Sequence, residues 1–140
     1  MRGFAVMRVD DLPSIAEEGV DWRPIQHFFG LSAFGINEYR ATEAGVELIG
    51  DHDEAEGGHE EIYLVLAGRV RFDVGGESHD CTAGAVVAVM DPGVRRKAVA
   101  LTADAVVLAV GNRAAERFET TWQPHHFEGV PTITDAPKGV

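Results

Sequence analysis

The stretch HEEIYLVLAGRVRFDVGGE, residues 59–77, carries two strand signatures in succession. Its first part, EEIYLVLAG, is a near-continuous apolar run, as expected of a strand covered on both faces. Its second part, RVRFDV, alternates: Val70, Phe72 and Val74 against Arg69, Arg71 and Asp73. A period of two sends one set toward a core and the other toward water. Gly68 separates the two runs, and GGE closes the second as a hairpin turn.

The same signals recur on either side. SHDCTAG leads to a glycine turn at Gly84, AVVAVM reads as a buried strand, and DPGVRR is a turn. KAVALTADAVVLAVG holds two more strands joined near Thr102–Asp104. Upstream, LSAFGINEYRA (residues 31–41) places Phe34, Ile36 and Glu38 on one face and Ala33, Gly35, Asn37 and Tyr39 on the other. GVELIG is a further short strand. Strands that recur about every eight to twelve residues with turns between them predict an all-β sandwich or closed barrel. At the ends, FAVMRV predicts an edge strand and DLPSIAEEGV a short helical turn ending at Gly19. DWRPIQHFFG predicts an irregular aromatic arm across the barrel or a partner chain, NRAAERF a short helix, and PHHFEGVPTITDAPKGV an extended arm. The expectation is one domain over residues 1–140, with arms at 1–30 and 113–140.

The bulk composition bounds the function. A chain of 140 residues that is 45% hydrophobic can bury one core. The net charge is −11, and residues 1–61 carry 14 acidic against 4 basic side chains. Such a surface repels phosphate backbones, so no nucleic-acid partner is expected. The cluster Arg95, Arg96 and Lys97 reads equally as a solvated turn or as pocket residues. No run is long and apolar enough for a membrane span, and the N-terminus lacks a secretory pattern; a soluble, cytoplasmic protein is the expectation. The single cysteine, Cys81, excludes an intrachain disulfide framework and a cysteine-based zinc site. It reads as a small buried hydrophobe, with His79 as a same-face neighbour that leaves a nucleophilic role open.

HEEIYLVLAGRVRFDVGGE followed by AGAVVAVMDPG resembles the cupin superfamily, over residues 35–112. WRPI…FGLSAFGINEY is further similar to small single-domain bacterial cupins, most of which have no assigned function. The resemblance implies a jelly-roll β-barrel, often dimeric, so a homodimer is expected, with WRPIQHFFG as a dimer or arm-exchange element. It also implies four metal ligands: a His-x-His pair, a glutamate separated by six residues from a glycine, and a later histidine. Glu61 with Gly68 fits the glutamate and glycine, and His52 with Glu54 falls near the His-x-His pair. Gly84 and Gly93 match the glycines of the second motif. Asp91 stands where that motif has proline, Arg96 where it has the histidine ligand, and Ala100 where it has asparagine.

On a strand, residues two apart share a face, about 7 Å along the chain. His59, Glu61 and Tyr63 therefore line one face, and with Arg96 they are the expected pocket-lining residues. His52, His59 and Glu61 are the candidate ligands for a divalent transition metal. Arg96 argues against that ion, because a guanidinium is permanently charged and cannot ligate. Its natural partner is a carboxylate, either Glu61 or that of a ligand. The first expectation is thus a barrel that holds a small polar or anionic molecule, without the family metal and without another cofactor. The alternative is a metal-dependent cupin enzyme of oxygenase, isomerase or lyase type with a rearranged His/Glu site. A third is a structural module whose barrel is plugged by side chains. Without metal, His59 and Glu61 are the candidate catalytic acid/base pair. Asp51, Asp53, Glu54 and Glu56 read as exposed charge, and His125 and His126 with Trp122 as a tail that either stays in solvent or covers the barrel mouth.

Overall fold

The computed structural model describes residues 3–134. Among the described residues there are ten strands: β1 (Ile15–Glu17), β2 (Val20–Pro24), β3 (Gly35–Ala41), β4 (Glu47–His52), β5 (His59–Ala67), β6 (Arg69–Val74), β7 (Glu77–Thr82), β8 (Val86–Val89), β9 (Arg96–Ala100) and β10 (Val106–Arg113). They form two antiparallel sheets, one in the order β1-β2-β3-β10-β5-β8 and the other β4-β9-β6-β7. Past β3 the chain passes repeatedly between the sheets, which is the jelly-roll arrangement expected. Tyr63, Val65, Val107 and Ala109 of the larger sheet pack against Val70, Phe72, Ala98 and Ala100 of the smaller, all buried. The Tyr63 and Phe72 rings meet across the two layers, with centroids 5.7 Å apart.

The alternating strand β6 lies as its pattern requires, with Val70 and Phe72 fully buried and Arg69 and Arg71 in water. Gly75 and Gly76 both take positive φ, +58° and +85°, and make the tight β6–β7 turn. Gly68, at φ +70°, breaks β5 from β6 where space runs out: a Cβ there would lie 2.5 Å from Thr102 Oγ1 and 2.7 Å from the Ala105 Cα.

Several local expectations change. FAVMRV is not a strand; Phe4 to Arg8 are exposed, and a 3₁₀ turn begins at Val9 and runs to Asp11. DLPSIAEEGV holds β1 and a hairpin turn at Glu18–Gly19 instead of a helical turn. DWRPIQHFFG is no irregular arm: β2 pairs with β3 from Val20 to Pro24, then turns into the short helix α1 (Ile25–Phe29). Proline suggested irregularity, but Pro24 ends its strand, where a missing N–H costs little. Trp22 stacks on Tyr39, so that aromatic is used within its own chain. NRAAERF is not helical, because β10 runs on through Arg113 in register with His59. β5 is covered on one side only: Ile62 and Leu66 remain 46% and 43% exposed on its outer face. AVVAVM is likewise buried on one side, at Val89, while Val86 is exposed. The tail forms a 3₁₀ turn at Pro124–Phe127 and is exposed through residue 134; the rest of PHHFEGVPTITDAPKGV lies outside the described residues. Trp122 and His126 pack on each other in solvent, with ring centroids 5.1 Å apart. No helix among the described residues is long and apolar enough to cross a membrane.

Candidate functional site

The open end of the barrel gathers polar side chains from both sheets. The odd-numbered residues of β5 point inward, which brings His59, Glu61 and Tyr63 to one face. His52 arrives from the end of β4, where the β4–β9 pairing slips twice before His52 meets Arg96. Glu54 follows on the connecting loop, anchored by its own N–H to the Pro92 carbonyl (2.8 Å) and by its carbonyl to the Gly58 N–H (2.7 Å). That loop makes Glu54 half-buried, so it does not belong with the exposed charges Asp51, Asp53 and Glu56. Arg96 enters from β9 and is 1% exposed, so it is no part of a solvated turn, whereas Arg95 is exposed and pairs with Asp51 at 3.2 Å.

Around these residues the electrostatics are lopsided. Tyr63 donates its hydroxyl to Glu61 Oε1 at 3.0 Å. His59 Nδ1 donates to Glu54 Oε2 at 3.3 Å. His52 Nδ1 lies 2.6 Å from the Gly50 carbonyl, which can only accept, so this nitrogen carries the proton. His52 Nε2 is thereby turned toward Glu54 Oε1 at 3.1 Å and Glu61 Oε1 at 3.9 Å. The two carboxyl groups are themselves hydrogen-bonded. Burial raises Glu61 above the ordinary glutamate range, and the Glu54 charge adds to this; the Tyr63 hydroxyl and Arg96 pull the other way. Burial alone would raise Glu54 too, but hydrogen bonds with His59 and Glu61, and the nearby His52, hold it below the ordinary range. The two carboxyls are thus pushed apart, Glu61 upward and Glu54 downward. Tyr39 faces the same charges; burial, then Glu61 and Glu54, push its phenol up to about 12.

Arg96 is the outlier. Its Nη1 stands 3.9 Å from Glu61 Oε1, too far for a hydrogen bond. None of its three guanidinium nitrogens has a hydrogen-bond partner among the described residues. A buried guanidinium with that record costs several kcal/mol by the usual desolvation argument, roughly 3–5, and calls for a reason.

The site opens into a cleft of about 410 Å3, and a smaller recess of about 170 Å3 shares Tyr39, Glu54, Glu61 and Ala109 with it. Its size suits a small molecule. Its floor is Gly35, Gly111 and Ala109, where Gly35 pairs with Gly111 and Gly111 with Glu61 across β3, β10 and β5. A Cβ on Gly111 would meet the Glu61 Cγ at 2.8 Å, so this glycine makes the room in which the Glu61 side chain lies.

The structure places the sequence candidates unevenly. Glu61 and His59 line the larger cleft, and His52, Glu61 and Tyr63 the recess. Arg96 stands behind Glu61 and lines neither. The donor atoms that converge are those of His52, Glu54 and Glu61, within 4.8 Å of one another; His59 instead hydrogen-bonds Glu54. Glu54 was legible only through its spacing from His52. Asn37, Gly35 and Tyr39 were legible as a shared strand face; nothing in the sequence pointed to Gln26 from α1, which also lines the cleft. Cys81 packs at the margin of the core, and burial raises its thiol, with the Asp80 charge adding to it. His79 offers it only a backbone carbonyl, at 3.8 Å.

The fold is that of the cupins. A cupin protein from Bacteroides fragilis superposes with a TM-score of 0.65 at 19% identity, covering 86% of this chain and 93% of that one. KdgF from Halomonas sp. superposes at 0.64 with 17% identity, covering 76% and 93%. A structure described as a predicted oxalate decarboxylase from Thermotoga maritima gives 0.61 at 21% identity, covering 76% and 97%. No family model matches the sequence, and no curated protein matches it.

Proposed function

We propose that this chain is a small-molecule-binding barrel protein whose open end holds a small polar or anionic ligand without the four-ligand metal of the cupin motif. The observation that carries this reading is Arg96. The resemblance implies a histidine ligand at this position, and this chain has a fully buried guanidinium facing Glu61. A guanidinium cannot donate a lone pair, so the four-ligand set does not fit. The charge of Arg96 instead replaces part of what a cation would supply from behind Glu61, and its positive field favours an anionic group in the recess in front of Glu61. Two structural neighbours bear the names of a sugar phosphate isomerase and a predicted oxalate decarboxylase, which supports a small polar ligand.

A second reading rests on a separate observation. His52 Nε2 and oxygens of Glu54 and Glu61 converge, and with Nδ1 held on the Gly50 carbonyl, Nε2 is the nitrogen that would ligate once deprotonated. These three would hold a divalent transition metal, which would supply Lewis-acid or redox chemistry when bound. Elemental analysis of the purified protein decides between the two. The metal-free reading expects no stoichiometric metal in the wild type and a gain of affinity for Zn2+ in Arg96→His. Stoichiometric iron, manganese, nickel or zinc that is lost in Glu61→Ala sinks it.

A further inference from the structure

Resting on the reading of the cleft as a ligand site, we infer that Gln26 and Asn37 are its specificity residues and that the ligand is a small hydroxy-carbonyl compound. Both carboxamides line the cleft. Both have their oxygen taken by the protein: Asn37 Oδ1 accepts from the Trp22 indole N–H at 2.8 Å, and Gln26 Oε1 from the Ile36 backbone N–H at 2.8 Å. An indole and a backbone amide can only donate, so the orientation of each carboxamide is fixed by chemistry. Each NH2 group therefore faces away from its anchor, and neither donates to an acceptor among the described residues. The third carboxamide of the cleft, Asn112, differs: its Nδ2 donates to the Ala33 carbonyl and its Oδ1 accepts from the Arg113 N–H.

Asn37 sits on β3, and Glu61 lies two strands away on β5, across the small residues of β10. One wall of the cleft is thus a pair of neutral donors, and the other, Glu54 and Glu61, a pair of oxygens that accept. Small floor residues let a ligand lie close to the backbone between them. A molecule that satisfies both walls presents a carbonyl or carboxylate oxygen to Gln26 and Asn37 and hydroxyl groups to Glu54 and Glu61. A hydrocarbon ketone meets only the first wall.

The test uses erythrulose, which is uncharged, with butanone as the match that lacks hydroxyls and erythronate as the match that carries a carboxylate, all by titration calorimetry. Asn37→Asp and Gln26→Glu keep the anchoring oxygen and replace the donor NH2 by an acceptor. Melting curves of the unliganded variants, unchanged from wild type, establish that the anchors persist. The expected result is that erythrulose binds wild type, butanone does not, and each variant loses at least tenfold in erythrulose affinity. Equal erythrulose affinity in wild type and both variants overturns the donor wall, and failure of erythrulose to bind wild type overturns the ligand class. Erythronate binding that survives both variants but is lost in Arg96→Met would overturn the donor wall while leaving the anion-holding barrel intact.

Discussion

The Arg96 guanidinium stands 3.9 Å from the Glu61 carboxyl and makes no hydrogen bond with the described residues. The fold holds a charge in its interior without giving it an acceptor from the described residues. Replacing such a charge by an apolar side chain of similar length removes the desolvation cost of a buried ion and here breaks no hydrogen bond. Arg96→Met is therefore expected to be at least as stable as wild type in urea unfolding and to lose binding of anionic ligands. A marked loss of stability would make Arg96 a structural residue.

Glu61 supplies the pH prediction. Its carboxyl is raised in the fold, chiefly by burial, above its ordinary value of 4.5. A raised acid contributes stability that is complete below the unfolded value and is lost as pH rises through the folded value. Glu61→Gln removes that loss. Unfolding free energies measured from pH 4.5 to 7 should fall less, or rise more, in the variant than in wild type. The lowered Glu54 acts in the opposite direction, with its stability lost as pH falls through its folded value. Glu54→Gln should therefore give the opposite change in slope below 4.5. Parallel slopes in wild type and Glu61→Gln would refute the assignment.

Gly68 tests the turn that joins β5 to β6. A side chain there meets Thr102 Oγ1 and the Ala105 backbone at 2.8 Å or less, with φ at +70°. Gly68→Ala is expected to cost about 2–4 kcal/mol from strain and overpacking. Gly68→Asn, which tolerates the φ but not the space, should recover little. A change below about 0.5 kcal/mol, the size of an ordinary surface substitution, would contradict the geometry.

Cys81 should behave as a packing residue. Burial and the Asp80 charge hold its thiol above the ordinary range. At pH 8 it should react with a disulfide reagent more slowly than a free thiol, because the thiolate is the reactive form. Reaction as fast as the free thiol would restore a nucleophilic role to consider.

The sequence disclosed most where one face of a strand meets water. β6 could be assigned face by face because charged residues alternate with apolar ones. β5 could be recognised but not oriented to its surroundings, since Ile62 and Leu66 on its outer face look like core residues in composition. The first 30 residues were misread because short strands ending in proline resemble loops. Glu61 and Arg96 were legible through motif spacing. Glu54 was masked among four acids, Asp51, Asp53, Glu54 and Glu56, of which only it is turned inward by a backbone anchor. Gln26 reaches the cleft from a helix ten residues before its anchoring partner Ile36, and no periodicity links such positions.

The β4–β9 pairing that brings His52 opposite Arg96 belongs to one sheet, while Glu61 and Tyr63 belong to the other. A molecule seated among them acts as a rivet between two layers that are otherwise joined mainly by apolar contact. Its binding energy adds to the work of separating them. Amide protons of β9 and β5 should then slow their exchange together when the cleft fills, even though no backbone hydrogen bond joins those two strands.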